Sequence, residues 1–356
     1  VPKTHGDLWK QIISFDTLCG AFNQARLGKR YTPEALRFAS RLEENLINIQ
    51  NHLIWKTWSP GKWREFWVYD PKWRQIQAPP FYDRVVHHAL VSVVEPLFER
   101  KFIHDSYACR RGKGTHAAVY RLQSFLRRTR RHWPRVYVVK ADISKYFPSI
   151  NHSRLEQQLG RTLRDQDALW LCSKIIRENG YERRGIPVGA LTSQLFANIY
   201  LNELDHFVKD ELGVKHYVRY MDDFVFLGPD KARLRRLLSV IEEKLVMDLR
   251  LALNPKTCIF PASRGVDFAG YRTWATHIKP RKKNVTRMRK RLTRMADLYA
   301  QGRASLEDVR ARVMSFIGYM KHCSGHVTTQ RVLQEIVLTR ENKAQEQEPA
   351  PRRWKL

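Results

Sequence analysis

His216-Tyr217-Val218-Arg219-Tyr220-Met221-Asp222-Asp223-Phe224-Val225-Phe226-Leu227-Gly228 reads as two short strands, rich in β-branched and aromatic residues, that meet at an Asp-Asp pair. Two carboxylates side by side at a hairpin tip raise each other's pKa, and a divalent cation is the usual remedy. A solvated acidic turn is the rival reading of the same residues. The rest of the chain decides between them.

With 356 residues the chain can bury a large core or divide into two or three subdomains. Lys and Arg number 64 against 35 Asp and Glu, a formal charge of +29 and a pI near 10.2. That excess argues against an ordinary metabolic enzyme and for a polyanionic partner. The basic residues run along the whole chain, which favours nucleic acid over a membrane surface, although charge alone also suits a ribosome-like structural protein. Cys19, Cys109, Cys172, Cys258 and Cys323 are far apart and form no Cys-x-x-Cys pair. They point to buried or neutral thiols in a reducing compartment, not to a disulfide framework or a zinc site. No apolar run reaches signal-peptide or membrane length, so a cytoplasmic location is expected.

Residues 7–58 carry helical periodicity, with Leu8, Ile12, Phe15 and Leu18 on one face and Leu36, Phe38, Leu42 and Leu46 on another. From Arg64 to Ala78 two strand-like runs flank a turn at Asp70-Pro71. Lys72 and Arg74 beside that turn either form a solvated edge or reach a triphosphate. An amphipathic helix from Phe81 to about Arg100 leads into Ser106–Ala117, where Gly112 and Gly114 permit close backbone approach and Arg110 and Lys113 suit phosphates. The helix after it ends in a basic cluster, Arg127-Arg128-Thr129-Arg130-Arg131.

Val136 to Ala141 reads as a buried strand that delivers Asp142 at its end. A carboxylate there either caps a helix or binds something, and Asn151 and Ser153 are better placed to cap. Gly185–Gln194 is a loop running into a helix of about Thr192 to Leu212, and another helix spans about Lys231 to Asp248. Short strands follow around Cys258–Phe260 and Val266–Trp274. Lys279 to Arg294 holds nine Lys or Arg and no acid, while Val285, Met288, Leu292 and Met295 recur at helical spacing. Lys282, Lys283, Arg287 and Arg291 are expected on nucleic acid, either a duplex or a structured RNA. Two further helices are expected, about Leu306–His322 and Thr329–Leu338, before a polar tail.

Asp142, Asp222 and Asp223, brought together by neighbouring sheet elements, would hold two divalent ions about 3.5–4 Å apart, as two-metal phosphoryl transfer requires. Ile143 is grouped with them at the metal site. All-oxygen ligation makes Mg²⁺ the expected ion, with Mn²⁺ a possible substitute. An acidic centre in a basic surround describes a nucleic-acid polymerase.

Tyr220-Met221-Asp222-Asp223 resembles the Tyr-x-Asp-Asp box of reverse transcriptases, and Asp142 to Phe147 resembles their first catalytic motif. The Lys72/Arg74 hairpin looks like their fingers and Phe268-Ala269-Gly270-Tyr271 like their primer grip, in matching order over about residues 60–275. The resemblance implies an α+β right-hand polymerase. Its parts would be a helical layer at 1–60, fingers at 61–135, a palm of antiparallel sheet and helices at 136–275, a short basic helical thumb at 276–340, and a flexible tail at 341–356. It implies Asp142, Asp222 and Asp223 as catalytic metal ligands, Phe147 as the gate against a ribose 2′-OH, and Lys72 and Arg74 on the triphosphate. Lys256 would lie near the departing pyrophosphate, and Val188, Gly189 and Gln194 at the nucleotide.

Most reverse transcriptases carry Gln-Gly-x-x-x-Ser-Pro before the long helix. Val188-Gly189-Ala190-Leu191-Thr192-Ser193-Gln194 is similar to the enzymes of diversity-generating retroelements instead. That narrower resemblance implies a bacterial or phage enzyme copying a template-repeat RNA into cDNA, error-prone at adenines, to replace a variable region in a target gene. Its partners would be the template RNA, the RNA/cDNA duplex, dNTPs and a small basic oligomeric accessory variability protein, with no membrane. Retron, group II intron and abortive-infection reverse transcriptases would share the three aspartates. A non-catalytic basic RNA-binding protein with a polymerase-like palm would have lost one, and all three are present.

Overall fold

The structure, a computed structural model, describes residues 5–69, 73–178 and 182–339. Helices and antiparallel sheets are segregated along the chain, an α+β architecture, and the chain divides into two compact units, Val1–Arg264 and Gly265–Leu356. That division falls ahead of the palm–thumb boundary expected at residue 275, so Phe268–Tyr271 belongs to the second unit. The polar tail, like Lys72, lies outside the described residues.

In the first unit the N-terminal periodicity becomes short helices, Trp9–Ile12, Phe15–Ala25, Pro33–Ala39 and Leu42–Ile54. Ser14 caps the second through the Thr17 amide at 3.2 Å, and Pro33 opens the third. Each break resets the helical phase. For that reason Phe15 and Leu36, expected on buried faces, are 38% and 51% exposed. Phe22 and Phe38, with ring centroids 5.5 Å apart, instead pack on Phe81 at the start of helix Phe81–Glu99.

Strands β1 (Arg64–Tyr69) and β2 (Trp73–Ala78) form a separate antiparallel ribbon, exposed along β1 and the first half of β2. The main sheet is built from β3 (Tyr137–Asp142), β4 (Tyr217–Tyr220), β5 (Asp223–Gly228) and β6 (Cys258–Pro261), in the order β4-β5-β3-β6 and antiparallel throughout. Val138, Val139, Ala141, Phe224, Val225 and Phe226 are fully buried, because the central strands β3 and β5 are covered on both faces. The long helix expected to Leu212 is α-helical over Leu191–His206 and then widens into a π-helical turn, Phe207–Glu211. As read from sequence, Asn151 caps its helix, accepting from the Arg154 amide at 3.0 Å.

The second unit pairs a small sheet, β7 (Val266–Phe268), β8 (Tyr271–Thr273) and β9 (Ile278–Pro280), with helices Lys282–Ala300, Leu306–Met320 and His326–Gln334. Ala269 and Gly270, both at positive φ, make the two-residue turn between β7 and β8. Leu292, Phe316, Met320 and Val332 form the unit's own core. Lys282, Lys283, Lys290, Arg291 and Arg294 stand exposed on one face of the first helix, with Arg287 half-buried among them. Among the described residues no helix is long and apolar enough to cross a membrane.

Candidate active site

The β4–β5 hairpin closes in the tightest way available. Tyr220 pairs with Asp223, which leaves Met221 and Asp222 as a two-residue loop. Met221 adopts φ +57°, a left-handed conformation that costs a non-glycine residue about 1–3 kcal/mol. Arg219 holds it there. Its fully buried guanidinium donates to the Met221 carbonyl at 2.9 Å and to Asn198 Oδ1 at 3.3 Å. Asp205, from helix Leu191–His206, neutralises that guanidinium through bonds of 2.7 and 2.5 Å and also accepts from the Tyr217 hydroxyl at 2.8 Å. The strained tip is thus tied to the helix behind it.

Asp142, the last residue of β3, stands directly opposite Asp223 in the antiparallel register, so the two side chains leave the same face of the sheet. Ile143 is buried and donates its amide to the Asp222 carbonyl at 3.2 Å, which leaves its main-chain carbonyl as the group it could offer a cation. Asn254 clamps Asp142 twice: its amide donates to the Asp142 carbonyl at 2.7 Å and its Nδ2 to Oδ2 at 3.2 Å. Lys140, two residues back on the same face, lies 3.7 Å from Asp223 Oδ2. The Asp222 carboxyl is pushed up to about 6 by burial and then by the Asp142 charge, while Arg74 and Arg219 act in the opposite direction.

Two like charges crowded at a half-buried hairpin tip, with carboxylate and main-chain oxygens as the available ligands, are the surroundings a hard divalent cation relieves. Among the described residues no three His, Cys, Asp or Glu side chains already form a ready cage. Asp142 and Asp222 are the electrostatically coupled pair. Asp223 has Lys140 beside it.

The nucleotide-side residues sort less uniformly. The loop before the long helix docks on β2, with the Gln77 amide donating to the Val188 carbonyl at 2.9 Å. Gly189, at φ +130°, passes so close that an added Cβ would sit 2.7 Å from the Gln77 carbonyl oxygen. This contact braces the ribbon whose Arg74 charge acts on Asp222. Phe147 is half-buried, edge-on to Tyr146 at 5.6 Å, and its carbonyl accepts from the Ile186 amide at 3.0 Å. Gln194 is exposed and, with Gly189, lines a cavity of about 200 Å³ shared with Lys29, Arg84 and His88. Lys256 is exposed and joins Asn254 only through a 3.0 Å bond from its amide.

Arg110 departs from its expected place on nucleic acid. Its side chain is 5% exposed and its guanidinium is taken up by Glu99, at 2.6 Å, and by the carbonyls of Ile103 and Ser106, both at 2.7 Å. It is a strut of the loop, because burial beside a carboxylate satisfies the donors a phosphate would need. Lys113 donates to the His104 carbonyl at 2.9 Å and lies over the Tyr107 ring. Asn254, Lys140 and the Arg219–Asp205 pair are the site residues that sequence reading missed. The available signal was only for Arg219, a cation inside the apolar run of β4.

The profile of the family described as reverse transcriptase (RNA-dependent DNA polymerase) matches residues 69–273, more than half of the chain. The protein YkfC of Escherichia coli (strain K12) is 26% identical over 280 residues, covering 65% of this chain and 72% of its own. The group II intron-encoded protein LtrA of Lactococcus lactis subsp. cremoris is 27% identical over 176 residues, 47% of this chain but only 28% of LtrA. Among solved structures, apo telomerase from Candida tropicalis has a TM-score of 0.49 at 12% identity, over 80% of this chain and 63% of that one. The chain belongs to the reverse transcriptase family.

Proposed function

We propose that this reverse transcriptase extends a primer on an RNA template by two-metal nucleotidyl transfer at Asp142, Asp222 and Asp223. The observation that carries the reading is the register that sets Asp142 opposite Asp223 and beside the Asp222 turn. Asp142 and Asp222, with the Ile143 carbonyl, would hold the cations. Bound there, Mg²⁺ or Mn²⁺ supplies an activated 3′-hydroxyl and neutralises the triphosphate. Asn254 keeps the Asp142 carboxylate aimed, Arg219 keeps the hairpin tip folded, and Arg74 draws the triphosphate to the acidic centre, a role the resemblance extends to Lys72. Phe147 limits room at the sugar. Extension of a labelled primer on RNA, abolished in Asp222→Asn with folding retained, tests this; an active variant overturns it.

For the biological role, we infer a diversity-generating enzyme that copies a template-repeat RNA with errors at adenines, alongside a basic accessory protein. What supports this is the Val188–Gln194 loop and its place against β2. Valine cannot make the hydrogen bonds a glutamine would make near the incoming nucleotide, which narrows the gap between right and wrong geometry by about 1–2 kcal/mol. Val188→Gln therefore lowers misincorporation opposite adenine by roughly tenfold; an unchanged error spectrum refutes it. A group II intron-type role is the second reading, favoured by the likeness to LtrA. Sequencing cDNA made from a defined RNA, with and without the accessory protein, separates the two.

A further inference from the structure

The basic cluster read at Arg127–Arg131 takes no part in the site above, and the fold explains where it goes. Helix Thr115–His132 runs beside β4 and β5 and ends away from the aspartates, near Tyr137 and Gly228, which pair at the far end of the sheet. The six residues of β3 put that end about 17 Å from Asp142, at about 3.3 Å per residue. There Trp133 and His216 meet edge to face at 5.5 Å, and with Leu227, Leu234, Lys215 and Arg233 they line a cavity of about 240 Å³. This is below the range of about 300–1,000 Å³ that holds drug-sized ligands, and it suits one planar ring system. His216 Nδ1 is buried with no hydrogen-bond partner among the described residues.

The charge around the cavity is one-sided. Arg128, Arg130, Arg131, Arg135 and Lys215 are exposed, and among the described residues no carboxylate is paired with any of them. The His216 ring is lowered by burial and then by Arg128, Lys209, Arg121 and Lys215 in turn. Arg121 and Lys209 are already matched by Asp105, at 2.6 Å each. Cations at the end of helix Thr115–His132 could be read as complements to its dipole, and one or two would suffice for that. Arg233 does not fit that reading, since it stands in the first turn of helix Lys231–Met247, the end that disfavours cations; Asp230 there accepts from the Ala232 and Arg233 amides and meets only part of the Arg236 and Arg233 charge. An external anion offsets both arrangements at once.

We propose that this distal face binds an unpaired nucleotide of folded RNA outside the copied duplex, its base in the Trp133–His216 cavity and its phosphates on Arg128, Lys215 and Arg233. This rests on the reverse transcriptase reading: the cDNA is paired as it forms, so unpaired bases held by structure belong to the flanking RNA. A basic accessory protein would be repelled from this face. The site would anchor the template RNA while the copied segment moves through the catalytic end.

The test compares Arg128→Gln/Lys215→Gln with the unaltered full chain on two probes, a stem-loop RNA with an unpaired loop and a fully paired RNA/DNA hybrid. The double variant should bind the stem-loop roughly tenfold more weakly, with a log–log salt slope shallower by about two, while hybrid binding and primer extension on the hybrid stay within about twofold. Equal loss on both probes would reduce the patch to a general positive field, and unchanged stem-loop binding would overturn the site. Crosslinking of a 4-thiouridine-substituted loop to the unaltered protein supplies a readout that needs no variant: adducts on the 213–216 or 128–135 segments support the cavity, and adducts only elsewhere refute it. Failure of the unaltered protein to extend the hybrid would count against the catalytic reading alone.

Discussion

The two ends of the β3–β5 pair carry opposite charge and are built in opposite ways. At the Asp142–Asp223 end each carboxylate is fixed by register, by an amide or by a buried ion pair, and the hairpin tip is held in a conformation it would not choose alone. At the Tyr137–Gly228 end the cations sit on long exposed side chains around a small aromatic cavity. One end depends on geometry, where an error of an ångström removes function; the other depends on a summed field, where each charge adds a graded, salt-screened share. A catalytic centre needs the first kind of construction, whereas a grip on a flexible polyanion works with the second.

That contrast can be broken from its acidic end. Asp142→Asn or Asp222→Asn should lower extension about 10²–10⁴-fold, several kcal/mol of lost charge stabilisation, and low salt should not restore it. Rescue at low salt would erase the difference between the two ends. Next in size is Arg219→Met, which strands Asp205 in the core; unfolding in urea should show about 3–5 kcal/mol lost, with activity falling alongside. Gly189→Ala forces a side chain against the Gln77 carbonyl at positive φ, and should cost about 1–3 kcal/mol, read as a weaker apparent affinity for dNTP as the ribbon bearing Arg74 shifts. Asn254→Ala should lower kcat about tenfold with little change in Tm, the signature of a carboxylate left unaimed rather than a fold undone.

The last effect has a sign that runs against the largest. Folding lifts the Asp222 carboxyl from 3.8 to about 6, so the folded chain holds this proton more tightly than the unfolded one. Its contribution therefore favours folding least above pH 6 and the penalty fades as pH falls toward 4. In metal-free protein, Asp222→Asn should raise stability by up to about 3 kcal/mol at pH 7 and by well under about 1 kcal/mol near pH 4, as melting curves at the two pH values would report. The substitution that abolishes chemistry should steady the fold.

Much of this was legible in the chain because it is local. The β-branched and aromatic runs of Tyr217–Tyr220 and Asp223–Gly228 specify the strands, the Asp-Asp junction specifies the turn, and the apolar run Val136–Ala141 specifies an inside strand. The failures have two causes. Arg110 read as a surface cation because nothing nearby in sequence reveals that Glu99 and two carbonyls close around it. Phe15 and Leu36 read as core because their periodicity was followed across helix breaks at Ser14 and at Ser40-Arg41.

The sequence by itself determined the reaction class, the strands that carry the aspartates and the basic character of the surround, all properties of residue type and short-range spacing. Only the tertiary structure decided which charges remain available. It placed Asn254 on Asp142 across 112 residues of chain, matched Arg219 with Asp205 in the core, and left Arg128 and Lys215 without a carboxylate among the described residues at the far end of the sheet. A charge is neutralised or free according to what packs against it, and packing between distant segments leaves no periodic trace in the chain.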